Sequence, residues 1–110
     1  MTTYIKALAA CLLSIAMIGC TMQEQPTQSG LLRSNFQIEH MGMQTDLYTL
    51  TNDNGMEVCF TNFGGRIVSI LVPDRHSNML DVCLGHDSIA DYMRYGYQGC
   101  NFAALIGRCG

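Results

Sequence analysis

The first candidates for moving protons in this sequence are its three histidines, His40, His76 and His86, and, of its nine carboxylates, Asp74 and Asp81. A histidine and a carboxylate held on opposite sides of one carbon perform general acid–base catalysis. The thiols form a second set, with Cys59, Cys83, Cys100 and Cys109 separated by 24, 17 and 9 positions. No Cys-x-x-Cys occurs among them, so the usual zinc-knuckle and dithiol redox spacings are absent and no metal or cofactor site is expected. Two of the four fall in strand-like runs, where a cysteine is usually a small buried hydrophobe. In an exported chain one pair could also oxidise.

Local context assigns most of the proton-bearing groups to structure. His76 sits in the turn Pro73-Asp74-Arg75-His76-Ser77-Asn78, and His40 on the approach to the first strand. Asp74 and Asp81 are expected to serve turn and strand-edge hydrogen bonds.

The whole chain has 110 residues, 48% hydrophobic and 14% charged, with a net charge of −3. Six Lys/Arg, with no cluster, exclude a phosphate-binding footprint, so no nucleic acid is expected as partner. The apolar fraction excludes a fully disordered chain.

Lys6 is the only charge before Glu24, and an apolar run from Ala7 to Gly19 follows it. That run is shorter than the roughly 20 residues needed to span a bilayer. A charged start, a short apolar core and a small residue before the cut describe a secretory signal peptide over 1–19. Met17-Ile18-Gly19-Cys20 resembles a bacterial lipobox, which makes Cys20 the expected lipid-attachment residue and the protein an exported, membrane-anchored lipoprotein. The alternatives for the same residues are an ordinary signal peptide cut near Cys20 and a buried N-terminal helix. Removing 1–19 takes Lys6 away and leaves a net charge of −4. Thr21 to Gly30 is polar and without period, so residues 20–31 read as a lipidated tether and 32–110 as the folded part.

From Phe36 onward the pattern is strand and turn. Leu47–Thr51 is rich in strand formers and runs into Asn52-Asp53-Asn54-Gly55, whose Asn-Gly step predicts positive φ at both turn positions. Met56, Val58 and Phe60 then alternate with Glu57, Cys59 and Thr61, predicting a half-buried strand with one apolar face. Arg66–Val72 is apolar on both faces, Met79–Leu84 returns as the next strand, and Ser88 is placed to cap one short helical turn. Phe102–Ile106 is a last apolar run. The expected class is all-β and antiparallel. About 75 residues after the tether barely suffice for a closed sandwich, so the expectation is the opening part of a larger protein.

Three runs in order carry a resemblance. They are Thr61-Asn62-Phe63-Gly64-Gly65-Arg66-Ile67-Val68-Ser69-Ile70; Val72-Pro73-Asp74-Arg75 continuing to Asp81-Val82-Cys83-Leu84-Gly85-His86-Asp87-Ser88 and Tyr92; and Ala104-Leu105-Ile106-Gly107-Arg108. At this spacing the stretch Asp46–Gly110 resembles the N-terminal part of the aldose 1-epimerases, the galactose mutarotase family.

The resemblance implies an antiparallel β-sandwich of the galactose mutarotase type, present here only as its N-terminal strands. It implies a hexose substrate, such as galactose or glucose, whose α and β anomers are interconverted without metal or cofactor. In that reaction a carboxylate takes the anomeric proton while a His protonates the ring oxygen, and the ring opens and recloses. The family's acid His and base Glu lie beyond the matched region, and its sugar-contacting Asn-Arg pair falls just past Gly110. No catalytic or substrate-binding residue is therefore assigned within the 110 residues, and the chain alone is expected to be inactive. His86 stands where the family tolerates other residues. Arg108 is a supporting residue at most. Tyr92, Tyr95 and Tyr97 either stack on a sugar or pack a loop on the sandwich edge. A rival of another class is a non-catalytic β-rich lipoprotein that binds carbohydrate or a partner.

Overall fold

The computed structural model describes Gly19, residues 22–96 and residues 103–107. Cys20, Tyr97, Cys100, Arg108 and Cys109 lie outside the described residues. A 3-10 turn at Arg33–Phe36 precedes a small hairpin of β1 (Glu39–His40) and β2 (Met43–Gln44). Then come β3 (Leu47–Thr51), β4 (Glu57–Thr61), β5 (Arg66–Pro73) and β6 (Met79–Asp81), a four-stranded antiparallel meander in sequential order. One helix, α1 (Ile89–Gly96), follows. The all-β class is thus what the alternating and apolar runs predict, and neither the β1–β2 hairpin nor the 3-10 turn has a comparable signal.

The β3–β4 connection falls where Asn52–Gly55 places it, with a different geometry. Only Gly55 has positive φ there, at 82°, so the two-residue mirror-image turn is not formed. Instead the Asn52 side chain accepts the amides of Asn54 and Met56, both at 3.0 Å, and Gly55 N–H donates to Asn52 O at 3.1 Å. An Asn side chain that mimics a backbone turn thereby makes a longer loop. At the next turn Asp74 Oδ1 accepts the amides of His76 and Asn78 at 2.7 and 2.9 Å, as expected of a turn aspartate.

β4 buries the face opposite to the one its alternation predicts. Glu57, Cys59 and Thr61 are buried, whereas Val58 and Phe60 are only half-buried. The cause is what lies above each face. Leu31, Phe36, Ile89 and Tyr92 pack with Leu47, Cys59 and Val68 on the inner side. On the outer side stand Tyr48, Leu50, Val58, Phe60, Ile67, Ile70, Val72 and Leu80, by strand parity and register. Every outer position of the meander is apolar, yet Leu50 is 62% exposed and Tyr48 43%. Tyr48 and Phe60 stack on each other at 5.3 Å between centroids. Thus the more apolar face is the one without cover among the described residues.

β5 reaches both faces by means of a bulge. The register to β4 shifts between Cys59 and Phe60, with Cys59 opposite Ser69 and Phe60 opposite Ile67. The extra residue is Val68, and Val68 and Ser69 are both buried in succession. Two neighbours turned to one side are the mark of such an insertion, which also increases local twist.

The segment expected to be a tether does not stay clear of the fold. Leu31 is buried in the inner layer, and residues 24–30 make hydrogen bonds to the 3-10 turn and to β4. Leu31 anchors the segment in the apolar layer, and the polar residues before it are held by a buried acidic side chain. Glu57, at 3% exposure, points inward from β4 and accepts the Gln28 and Ser29 amides at 3.0 and 3.1 Å. A buried carboxylate needs such donors, and this polar stretch supplies them.

Candidate functional site

The three runs singled out in the sequence meet at the start of β5. The Asn62–Gly65 bend carries Gly64 and Gly65 at φ 68° and 56°, a left-handed pair that other residues adopt only at a cost. It delivers Arg66 with its guanidinium 5.4 Å from the ring centroids of both Phe63 and Tyr92, and Arg66 Nη1 donates to Phe63 O at 2.8 Å. A cation between two aromatic faces gains quadrupole attraction on both sides. A Cβ on Gly64 would overlap Nη1 of Arg66, so the glycine leaves the room that the cation occupies. The Asn62 side chain fixes the bend from outside. It accepts the Asp46 amide at 2.9 Å and donates to Gln44 O at 3.1 Å.

The second run crosses over this strand. β6 stops at Asp81, three residues short of the predicted Leu84, because the Asp81 side chain takes over the ladder. Its Oδ1 accepts the amides of Ile70 and Cys83 at 3.0 Å each, and its Oδ2 accepts Ser69 Oγ at 2.6 Å. Burial pushes the Asp81 carboxyl up, but these three donors outweigh it and hold the group below its ordinary value. Asp81 therefore acts at the strand edge, as expected, and plugs the β5 bulge. At Gly85 the chain passes so near the Val68 carbonyl that only a glycine fits.

His86 and Tyr92 close the crossover. Tyr92 is buried, its phenolic oxygen accepts the His86 amide at 3.2 Å, and burial pushes its pKa up. The His86 ring lies edge-on to Tyr92 at 4.9 Å and stacks on Tyr95 at 5.3 Å. Tyr92 thus packs the helix onto the sheet, and the Tyr95 ring is stacked on His86. Ser88 caps α1, its Oγ accepting the Asp91 amide at 3.1 Å and donating to Asp91 Oδ2 at 2.8 Å. The helix then runs eight residues rather than a single turn. Its length comes from burying Ile89 and Tyr92 on one side.

The third run pairs with β5 directly. Ile67 N–H donates to Ala103 O at 3.0 Å, Leu105 N–H donates to Gly65 O at 2.8 Å, and Arg66 bridges Ala104 in an antiparallel pair. Residues 103–105 therefore lie on the edge of β5 whose other half is taken by β6.

A sequence model of the aldose 1-epimerase family matches residues 46–109. The chain belongs to the aldose 1-epimerase family. It is also 34% identical over 67 residues to a probable aldose 1-epimerase of Arthroderma benhamiae, over 56% of this chain and 14% of that relative. The chain thus corresponds to about one seventh of the relative's length. No solved structure matches it. The family match covers β3 to residues 103–105, and Arg66 joins three pieces within it, the Asn62–Gly65 bend, Tyr92 and Ala104.

The remaining groups are scattered. His40 meets Phe63 edge-on at 5.5 Å beside a cleft of about 240 Å³ lined by Met43, Gln44, Thr45, Asn62 and Gly64 as well. That volume is below the usual range for a small-molecule site, and the Asn62 amide is already engaged. His76 lies exposed in its turn. Cys59 and Cys83 are free thiols, and burial pushes both thiol pKa values up. Among the described residues no three His, Cys, Asp or Glu side chains gather as a metal site would need. None of the helices there is long and apolar enough to cross a membrane.

Proposed function

We propose that this chain forms the N-terminal strands of an exported, lipid-anchored aldose 1-epimerase that interconverts hexose anomers. The observation that carries the reading is the junction at Arg66. One side chain and its backbone join the Asn62–Gly65 bend, Tyr92 of α1 and the bridged segment 103–105, which belong to the three runs that resemble the family.

In this reading the residues present here position rather than react. The head of β5 holds residues 103–105, just before the place in the sequence where the family's sugar-contacting pair is expected. The proton-transferring His and carboxylate belong to the part of the family beyond residues 46–109. The bare outer face of the meander supports the same reading, since a second sheet about 10 Å away is what such a face packs against. Cys20 carries the lipid, and galactose or glucose is the expected class of substrate.

Polarimetry on freshly dissolved α-galactose and α-glucose tests the division of labour. The purified 110-residue chain is expected to leave the relaxation at its buffer rate. Acceleration well above buffer, proportional to protein, would contradict it.

A further inference from the structure

Two carboxylates fasten the stretch between Cys20 and the sheet. Glu24 Oε1 accepts the Ser34 amide at 2.8 Å, and the hydrogen bonds from Ser34 hold the Glu24 carboxyl below its ordinary value. Further on, Thr27 to Gly30 forms a turn closed by Gly30 N–H donating to Thr27 O at 2.9 Å. Leu31 N–H donates to Thr27 Oγ1 at 3.0 Å in the same turn. The turn aims the Gln28 and Ser29 amides at Glu57, which also accepts Ser29 Oγ at 3.2 Å. Leu31, directly after it, enters the inner layer.

We propose that this strap sets a short, fixed spacing between a lipid-bearing Cys20 and the folded sheet, holding the strap side of the protein against the bilayer surface. The proposal rests on the lipid-anchor reading of Cys20. Chain length gives it a scale. At about 3.5 Å per extended residue, the four steps from Cys20 to Glu24 span at most about 14 Å. A tether loose as far as Leu32 would span about 42 Å by the same measure. Glu24 and Glu57 thus remove about two thirds of the reach. The bilayer is the partner because the proposed lipid on Cys20 inserts there, and an exposed apolar side chain, Met22 at 96%, follows two residues later in the sequence. Attraction of anionic lipid plays no part, since the chain without residues 1–19 is acidic.

The test uses the full lipidated chain in nanodiscs of neutral phosphatidylcholine containing a gadolinium-chelating headgroup lipid, with paramagnetic broadening read at the Ser29 and Leu31 amides. Strong broadening is expected in the wild type. In E24A, whose first fastening point moves to Gln28, the span roughly doubles to about 28 Å, and the broadening should fall several-fold. E24A changes an exposed side chain and leaves the inner layer intact. Equal broadening in both proteins, or none in the wild type, overturns the proposal. Mass spectrometry of Cys20 separates the two levels. A chain without lipid overturns the anchor reading and the spacing with it, whereas a lipidated chain without broadening overturns the spacing alone.

Discussion

The backbone at Gly85 crosses the Val68 carbonyl so closely that a Cβ at position 85 would overlap the oxygen. The atom in the way is backbone, and it belongs to the residue that makes the β5 bulge, so nothing nearby can yield cheaply. G85A should cost about 1–3 kcal/mol, the range for overpacking a tight site. The midpoint of urea unfolding measures this. An unchanged midpoint would mean that the crossover does not lie where the structure puts it.

At the other end of β5, Gly64 leaves the space taken by the Arg66 guanidinium and holds φ at 68°. G64A should lose about 1–2 kcal/mol from the left-handed backbone. It should also displace Arg66 from between Phe63 and Tyr92. R66M, which keeps the bulk and removes the charge, isolates the second effect. Faster hydrogen exchange at Ile67 and Leu105 in both variants would show that the guanidinium holds the segment 103–105 in place. Exchange at wild-type rates in R66M would show that it does not.

These two glycines mark where the sequence was informative and where it was not. Pattern alone located β3, β4, β5, the Asp74 turn and the Ser88 cap, since each rests on contacts a few residues apart. It mislocated the buried face of β4, because burial depends on what covers a face, and the cover comes from Leu31, Phe36, Ile89 and Tyr92, 26 residues before to 35 after Glu57. It also read residues 20–31 as a tether, since Glu57, which accepts the Gln28 and Ser29 amides, lies 29 positions from Gln28. The Arg66 junction was visible only as three separate motifs. The feature that could have pointed to Glu57 was an acidic residue at the first position of a strand whose next alternate positions, Cys59 and Thr61, are small enough to be buried.

Asp81 gives the chain an acid-sensitive element. Its folded pKa lies below the ordinary value, so the unfolded chain binds its proton more readily and the stabilisation is complete above the ordinary carboxylate range. It is lost as pH falls through the depressed folded value. D81N should therefore be less stable than wild type at pH 7, by no more than about 1 kcal/mol for so exposed a group. The difference should shrink below about pH 4. A gap that stays constant down to pH 2 would assign the loss to geometry rather than charge.

The outer face predicts a contrast between two aliphatic residues. I89A removes a fully buried side chain of the inner layer and should cost about 2–5 kcal/mol. L50K changes a residue 62% exposed and should alter stability by less than about 0.5 kcal/mol. L50K should also reduce aggregation and binding of an apolar dye, both of which a bare apolar sheet face promotes. Destabilisation by L50K as large as that by I89A would mean that the outer face is already covered.

The most direct measurement is mutarotase activity in a chimera. Residues 46–107 of this chain would replace the aligned stretch of the Arthroderma benhamiae relative, with the rest of that protein unchanged. If these elements form the N-terminal strands of an aldose 1-epimerase, the folded chimera will accelerate anomer exchange as the parent does, and R66M within it will lower that activity. A chimera that folds cooperatively but leaves the exchange at its buffer rate, beside an active parent, would contradict the account.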